Sequence, residues 1–286
     1  MKTSSKKQLK TGARPFLKWV GGKSQLLSQL QRHYPKKYNR YFEPFVGGGA
    51  VYFDIQPKMA FINDINRTLI TAYGHIQGKP NELIKLLRKL HTQYHELADN
   101  KRSDLYYEIR ANFNAIKDTS LEKSAYLIFL NKTGYNGMYR ESSNGGYNVP
   151  FGKYKNPTIL DEENIRAVSE ALKEVVLTSF SFEEAVANAK KGDFVYFDPP
   201  YHPLNGTAKF TSYTEKKFLE DEQIKLRDIF IELDKKGCFV MMSNSYTDFI
   251  GKLYKGYKKH TVLASRAINC KADGRGKIKE YVITNY

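Results

Sequence analysis

The chain has 286 residues, with 46 Lys and Arg against 30 Asp and Glu, a net charge of +16. A hydrophobic content of 41%, with 14% aromatic residues, is enough for a real core and excludes a low-complexity chain; two cysteines, Cys238 and Cys270, in no CxxC spacing exclude a disulfide scaffold. The basic excess fits a polyanionic partner, because counterion release favours basic proteins on nucleic acid, although a merely solvated basic surface has the same charge.

The N-terminal MKTSSKKQLKTGARP is basic but is followed by no apolar h-region, and no stretch is long enough to span a membrane, so a cytoplasmic location is expected. PFLKWVGGKSQLLSQLQRHY reads as a loop entering a helix at about Ser24. WVGGKS at 19–24 imitates the end of a phosphate-binding loop, but Leu17 stands where that pattern needs glycine, and a nucleoside-triphosphatase is rejected. RYFEPFV reads as a strand, GGG as a tight loop and AVYFDI as the start of a helix. KMAFINDIN reads as a second strand ending on Asp64, with a helix after it through about Tyr73. This order is a βαβ unit with its ligand end at the strand C-termini.

From about Lys79 to Asn131 the pattern is helical, as in NELIKLLRKLHTQYHEL and LEKSAYLIFLNK. The NGG at 144–146, between short β-like arms, predicts a hairpin. DEENIRAVSEALKEV is a further helix. Strand patterns return at VVLTSF, DFVYF, CFVMMSN and IKEYVITNY. A parallel-sheet domain (1–75 and 161–286) is therefore expected to carry a helical, hairpin-bearing insertion (76–160). His91 and His95 have metal spacing, but Thr92 breaks HExxH, and a solvated helix face is expected, with no metal. The acid runs at 161–163 and 220–222 fit helix starts.

Two motifs carry chemistry. The glycines of FVGGG let a backbone approach a ligand closely, and Asp64, nearly 20 residues on, lies where a ribose hydroxyl pair is gripped. Position 52 is Tyr, so the dinucleotide pattern G-x-G-x-x-G fails, and another adenosine-containing cofactor is favoured. In DPPY, Asp198 ends a buried strand. Pro199 and Pro200 remove donors and leave carbonyls as acceptors, and Tyr201 offers a stacking face. Together they mould an amine on a flat heterocycle. Neither cysteine sits in a motif for attack on a ring carbon, so an amino target is favoured.

The pair FVGGG…DPPY, with PFLKWVGGK, EPFVGGGAV, TGYNG, NVPFGKYKNP, VYFDPPY, FTSY and the Ser243-Asn244 pair, resembles the Dam-type (α-order) DNA adenine-N6 methyltransferases. The resemblance runs from Pro15 to the end and is least specific over 81–120. It implies a Rossmann-like α/β fold, with seven mostly parallel strands and the last antiparallel, S-adenosylmethionine as cofactor and double-stranded DNA as substrate. It implies that Trp19, Gly21, Lys23, Phe45, Gly47, Gly48, Gly49, Asp64, Ser181, Phe182 and Asp198 hold the cofactor; the family often has Asp where Ser181 stands. Asp198, Pro199, Pro200 and Tyr201 would form the catalytic motif around a flipped adenine. Tyr135 and Asn136 would enter the duplex, Arg140 would read a guanine, and Pro150, Tyr154 and Lys18 would be further DNA contacts. Arg140 matches guanine O6 and N7 bidentately, although a phosphate clamp is its plainer role.

The implied target is GATC or a longer site containing GAT, and the implied enzyme is a monomer, with or without a cognate restriction endonuclease. Methylation of RNA or of protein glutamine would share the fold, but Asn is usual at position 198 for glutamine, and RNA leaves TGYNG and Arg140 unexplained. A dinucleotide oxidoreductase fails on glycine spacing, and a non-catalytic DNA-binding module leaves DPPY unexplained. HPLNGTAKFTSY, after DPPY, and SRAINCKADGRGK at 265–277 are expected to be mobile loops over the base and the DNA.

Overall fold

The computed structural model describes residues 10–202, 218, 220–265 and 277–286. The expected mobile loops therefore lie almost wholly outside the described residues, as does Cys270. The strands are β1 (Tyr41–Glu43), β2 (Ala60–Asn63), β3 (Val176–Thr178), β4 (Phe194–Phe197), β5 (Phe239–Ser245), β6 (Lys258–Ser265) and β7 (Lys277–Thr284). They form one sheet in the order β3-β2-β1-β4-β5-β7-β6. The first five in this order are parallel to one another, and β7 runs antiparallel to both β5 and β6. This is the Rossmann-like methyltransferase sheet expected from the sequence.

Several elements are shorter than their sequence patterns. β1 stops at Glu43 because Pro44 cannot donate to a ladder. β2 stops at Asn63, which leaves Asp64 just beyond the strand. The helix expected from Ser24 is one turn, α1 (Leu27–Leu30), followed by a 3-10 turn. Beyond α2 (Ala50–Ile55), the next helix, α3 (Arg67–Gly78), runs past Tyr73. β6 was not read from the sequence. It is the edge strand, and its lysine-rich KKHTVLAS pattern is how edges resist pairing with other chains.

Side-chain alternation along β1 and β4 fills two hydrophobic clusters, one on each face of the sheet. Tyr41, Phe194 and Tyr196 join the larger one, and Phe42, Val195 and Phe197 the other. The larger cluster continues without a break into the helices α4 (Pro80–Glu96), α5 (Asp99–Ala115) and α6 (Leu121–Thr133), through Leu83, Leu87, Leu105, Ile109, Leu127 and Phe129. Each such fully buried side chain stabilises the fold by about 1.5–3 kcal/mol. The inserted helices thus share a core with the sheet. α7 (Glu162–Leu172), capped by the Asp161 side chain, closes that layer. α8 (Phe182–Val186), α9 (Glu220–Lys235) and α10 (Asp248–Leu253) contribute to the opposite cluster. The expected hairpin forms, but as two isolated antiparallel bridges, Glu141 to Tyr147 and Gly134 to Phe151, rather than a regular ladder. Ser142 N–H to the Gly146 carbonyl (2.8 Å) closes its tip.

Candidate active site and DNA-facing surface

Because β1 and β4 are adjacent, with Tyr41 opposite Phe194, the glycine loop and DPPY leave the sheet side by side. Strand order reverses at this point, where open α/β sheets bind ligands. In the glycine loop, Gly47 has φ +47° and lies so close to Trp19 that a Cβ would come within 2.7 Å of the indole. Its N–H donates to Asp64 Oδ2 (3.0 Å), and Asn66 N–H donates to Oδ1 (2.9 Å). Each carboxylate oxygen keeps acceptor capacity for a hydroxyl. Burial pushes the Asp64 carboxyl up to about 6, partly offset by those two hydrogen bonds. Ile65 and Phe180, beside Asp64, are 67% and 52% exposed and offer apolar surface to a ligand held there. The sequence reading missed both.

Asp198 follows the fully buried β4. Its carboxylate pairs with the Lys23 ammonium at 2.7 Å. Burial raises its pKa to about 6, against the lowering effect of Lys23. Three supports hold the turn. The Gln223 amide donates to the Pro200 carbonyl (3.0 Å), and Asn244 donates to Gln223 (2.9 Å). The Tyr201 hydroxyl donates to Glu280 (2.8 Å). Beneath the site Glu43 is buried, accepts from the Tyr41 hydroxyl (2.7 Å) and has its pKa raised by desolvation. Gln223, Glu280 and Glu43 lay outside the sequence reading; each partner is distant along the chain or hidden within a strand.

The DNA-contact candidates form a second group. Asn136 has φ +55°, and its N–H donates to the Tyr154 hydroxyl (3.1 Å). Tyr135, half-exposed, bonds through its N–H to the Pro150 carbonyl (2.9 Å). The Arg140 guanidinium is held by Asn148, through its side chain and its carbonyl. The Lys18 ammonium lies 5.6 Å from the Tyr154 ring centre. Gly137, at φ +62°, packs on the Lys18 side chain so closely that a Cβ would clash at 2.5 Å. Asn131, buried and unremarked in the sequence, joins the pieces: its side chain accepts from Lys18 N–H (2.9 Å) and donates to the carbonyls of Lys18 (2.9 Å) and Gly137 (2.8 Å). Trp19 stacks on Tyr139 of the hairpin, 5.3 Å between ring centres. The indole thus touches both the glycine loop and the hairpin.

Residues 19–268 match the family described as D12 class N6 adenine-specific DNA methyltransferase. The chain belongs to that family. It is 46% identical to the Methanocaldococcus jannaschii protein named Type II methyltransferase M.MjaIII, over 96% of this chain and 99% of that one. It is 43% identical to the Lactococcus lactis subsp. cremoris protein named Type II methyltransferase M1.LlaDCHI, over 97% of each. It is 35% identical to the Vibrio cholerae protein named DNA adenine methylase, over 93% of this chain and 94% of that one.

The chain is therefore an adenine-specific DNA methyltransferase by family. Two expected cofactor residues also have structural partners, and one other expectation needs adjustment. The Ser181 hydroxyl caps α8, accepting from Glu184 N–H (3.3 Å), while the Glu184 carboxylate accepts from Ser181 N–H (3.0 Å). Phe182 is nearly buried and packs on Phe45, 5.5 Å between centres, so both rings line the wall below the strand ends. The His91–His95 face is half-buried rather than solvated: the rings lie 4.3 Å apart, and His91 Nδ1 and His95 Nε2 are buried without hydrogen-bond partners. Among the described residues no group of three or more His, Cys, Asp or Glu side chains could hold a metal, and no helix is long and apolar enough to cross a membrane.

Proposed function

We propose that this methyltransferase takes S-adenosylmethionine as cofactor and methylates N6 of an adenine flipped out of duplex DNA, within GATC. The observation that carries the reading is the placement of Asp198 and its prolines beside the glycine loop, at the reversal of strand order. The residues present fit the cofactor: a two-oxygen acceptor at Asp64, a loop without a side chain at Gly47, and exposed apolar groups at Ile65 and Phe180. When bound, S-adenosylmethionine supplies an electrophilic methyl group on a sulfonium.

The chain's residues do the rest by positioning. Asp198 and the Pro199 carbonyl accept the two N6 hydrogens, which draws the nitrogen lone pair out of conjugation. Gln223 fixes the Pro200 carbonyl and so holds the turn in place. Tyr201 stacks on the base, its ring fixed by Glu280. The proton that N6 sheds is held at the Asp198 carboxylate. Residues 76–160 act as the target-recognition part: Tyr135 and Asn136 enter the duplex, Arg140 reads a guanine, and Pro150, Tyr154 and Lys18 are further contacts. Trp19, Gly21, Phe45, Gly47, Gly48, Gly49, Ser181 and Phe182 line the cofactor side. The enzyme acts as a monomer in the cytoplasm. The names of the Methanocaldococcus and Lactococcus relatives support a Type II system, with an endonuclease cutting the same site.

Transfer of a tritiated methyl group to a duplex with one GATC tests the reading. Label should enter adenine N6 and fall to background when the outer guanine is replaced. Equal labelling of both duplexes overturns the GATC assignment, and label on cytosine overturns the target.

A further inference from the structure

Lys23 is a buried lysine, its side chain 4% exposed. Its ammonium lies 2.7 Å from Asp198 Oδ1, donates to the Gly21 carbonyl at 2.6 Å, and sits 4.8 Å from the Tyr201 ring centre. A carboxylate at hydrogen-bonding distance and an aromatic face alongside are two of the contacts given above to the target base and its amine. The ammonium thus occupies a carboxylate oxygen and a ring face that the target base would use. The resemblance places Lys23 with the cofactor, but here its cation is spent on the catalytic carboxylate.

We infer that the Lys23 ammonium stands in for the target amine, filling the Asp198–Tyr201 socket until a flipped adenine displaces it. The inference rests on the adenine-socket reading. A carboxylate buried without a cation is costly and tends to take up a proton. The surroundings make that acute. Glu43 faces Asp198 from β1, Tyr196 from β4, Tyr201 from the turn and Glu280 from β7, and none of these brings a positive charge. Lys23, from the N-terminal loop, supplies one. It keeps Asp198 ionised and aimed between turnovers, and a base enters only by breaking this pair. The socket thus competes against idle occupation by anything weaker than a well-placed exocyclic amine.

The placeholder also predicts a response to charge on the cofactor side. A second cation bound beside the socket weakens Lys23's hold on Asp198 by like-charge repulsion. A positively charged cofactor therefore helps to open the socket, and a neutral one does not.

The test uses the full chain with a duplex carrying 2-aminopurine at the target adenine, whose fluorescence rises on unstacking. Without cofactor, Lys23→Met should give about a tenfold larger unstacked fraction than the wild type, the effect expected if the open socket is a minority state of roughly 10%. The acid limb of its single-turnover rate should move to higher pH, because the cation that lowers the Asp198 pKa is gone. A role confined to cofactor binding predicts instead a raised KM for S-adenosylmethionine, with wild-type flipping and an unmoved acid limb; that result overturns the inference. If Lys23→Met fails to fold, the wild type supplies the second arm. Sinefungin, which carries an ammonium near the position of the sulfonium, should promote flipping more than neutral S-adenosylhomocysteine at saturation, and equal promotion overturns the inference. Asp198→Asn in the transfer assay separates the two readings: retained methylation there sinks the socket itself, whatever Lys23 does.

Discussion

The strand-end socket and the recognition arm are built differently. In the socket, chemistry-bearing groups leave adjacent parallel strands, and second partners fix them, Gln223 and Asn244 buried and Glu280 partly so. In the arm there is no regular ladder; its groups hold one another through Asn131, Asn148 and Tyr154, and side chains such as Tyr135 remain exposed. A reaction that depends on aiming one nitrogen needs the first construction. Reading a duplex whose groove must be entered suits the second, where side chains can leave their own contacts for base edges. Changes in the socket should therefore strike rate, and changes in the arm should strike affinity and choice of site.

The largest expected effect sharpens this contrast. Asp198→Asn keeps the shape but loses the anionic acceptor, and should lower single-turnover methyl transfer by about 10²–10⁴-fold, with duplex affinity nearly unchanged. Parallel losses of rate and affinity would break the contrast. Next is Asn131→Ala, at the joint between the regions. It strands the Lys18 N–H and two carbonyls, and should cost about 1–3 kcal/mol in denaturant-determined stability while weakening DNA binding. Loss of stability without loss of binding would mean that the joint does not hold the arm in place.

pH supplies a third separation. Burial puts the Asp198 and Asp64 carboxyls near 6, above their ordinary values. In the proposed mechanism methyl transfer needs the anion at Asp198, so rate should fall as pH drops through about 6. Stability moves the other way: with folded pKa values above unfolded ones, the native state binds more protons between about pH 4 and 6, so these groups favour the fold increasingly as pH falls through that window. Rate profiles and thermal melts of wild type against Asp198→Asn check both signs. The smallest effect belongs to Lys18→Ala, which should lower the slope of log affinity against log salt by about 1, with the same loss on every sequence. A sequence-dependent loss would move Lys18 from backbone contact to readout.

The same contrast explains what was legible in the sequence. A glycine run after a strand and an acid followed by Pro-Pro have meaning within a few residues, so FVGGG, Asp64 and DPPY could be read locally. The arm's roles came from resemblance, because its geometry depends on distant partners: Asn131 meets Lys18 across 113 residues, and Tyr94 meets Tyr154 across 60. β6 was missed because an edge strand guarded by lysines lacks clean alternation. The capping box that Ser181 forms with Glu184 was written in SFEE and went unread.

The central claim is that the arm chooses the adenine and the socket methylates it. The most direct measurement is long-read mapping of modified adenines in a methylation-free host expressing the wild type, Arg140→Ala or Asp198→Asn. The account predicts N6-methyladenine in GATC for the wild type, a motif relaxed at its guanine for Arg140→Ala, and no modified adenine for Asp198→Asn. An unchanged motif with Arg140→Ala, or persistent marks with Asp198→Asn, would contradict it.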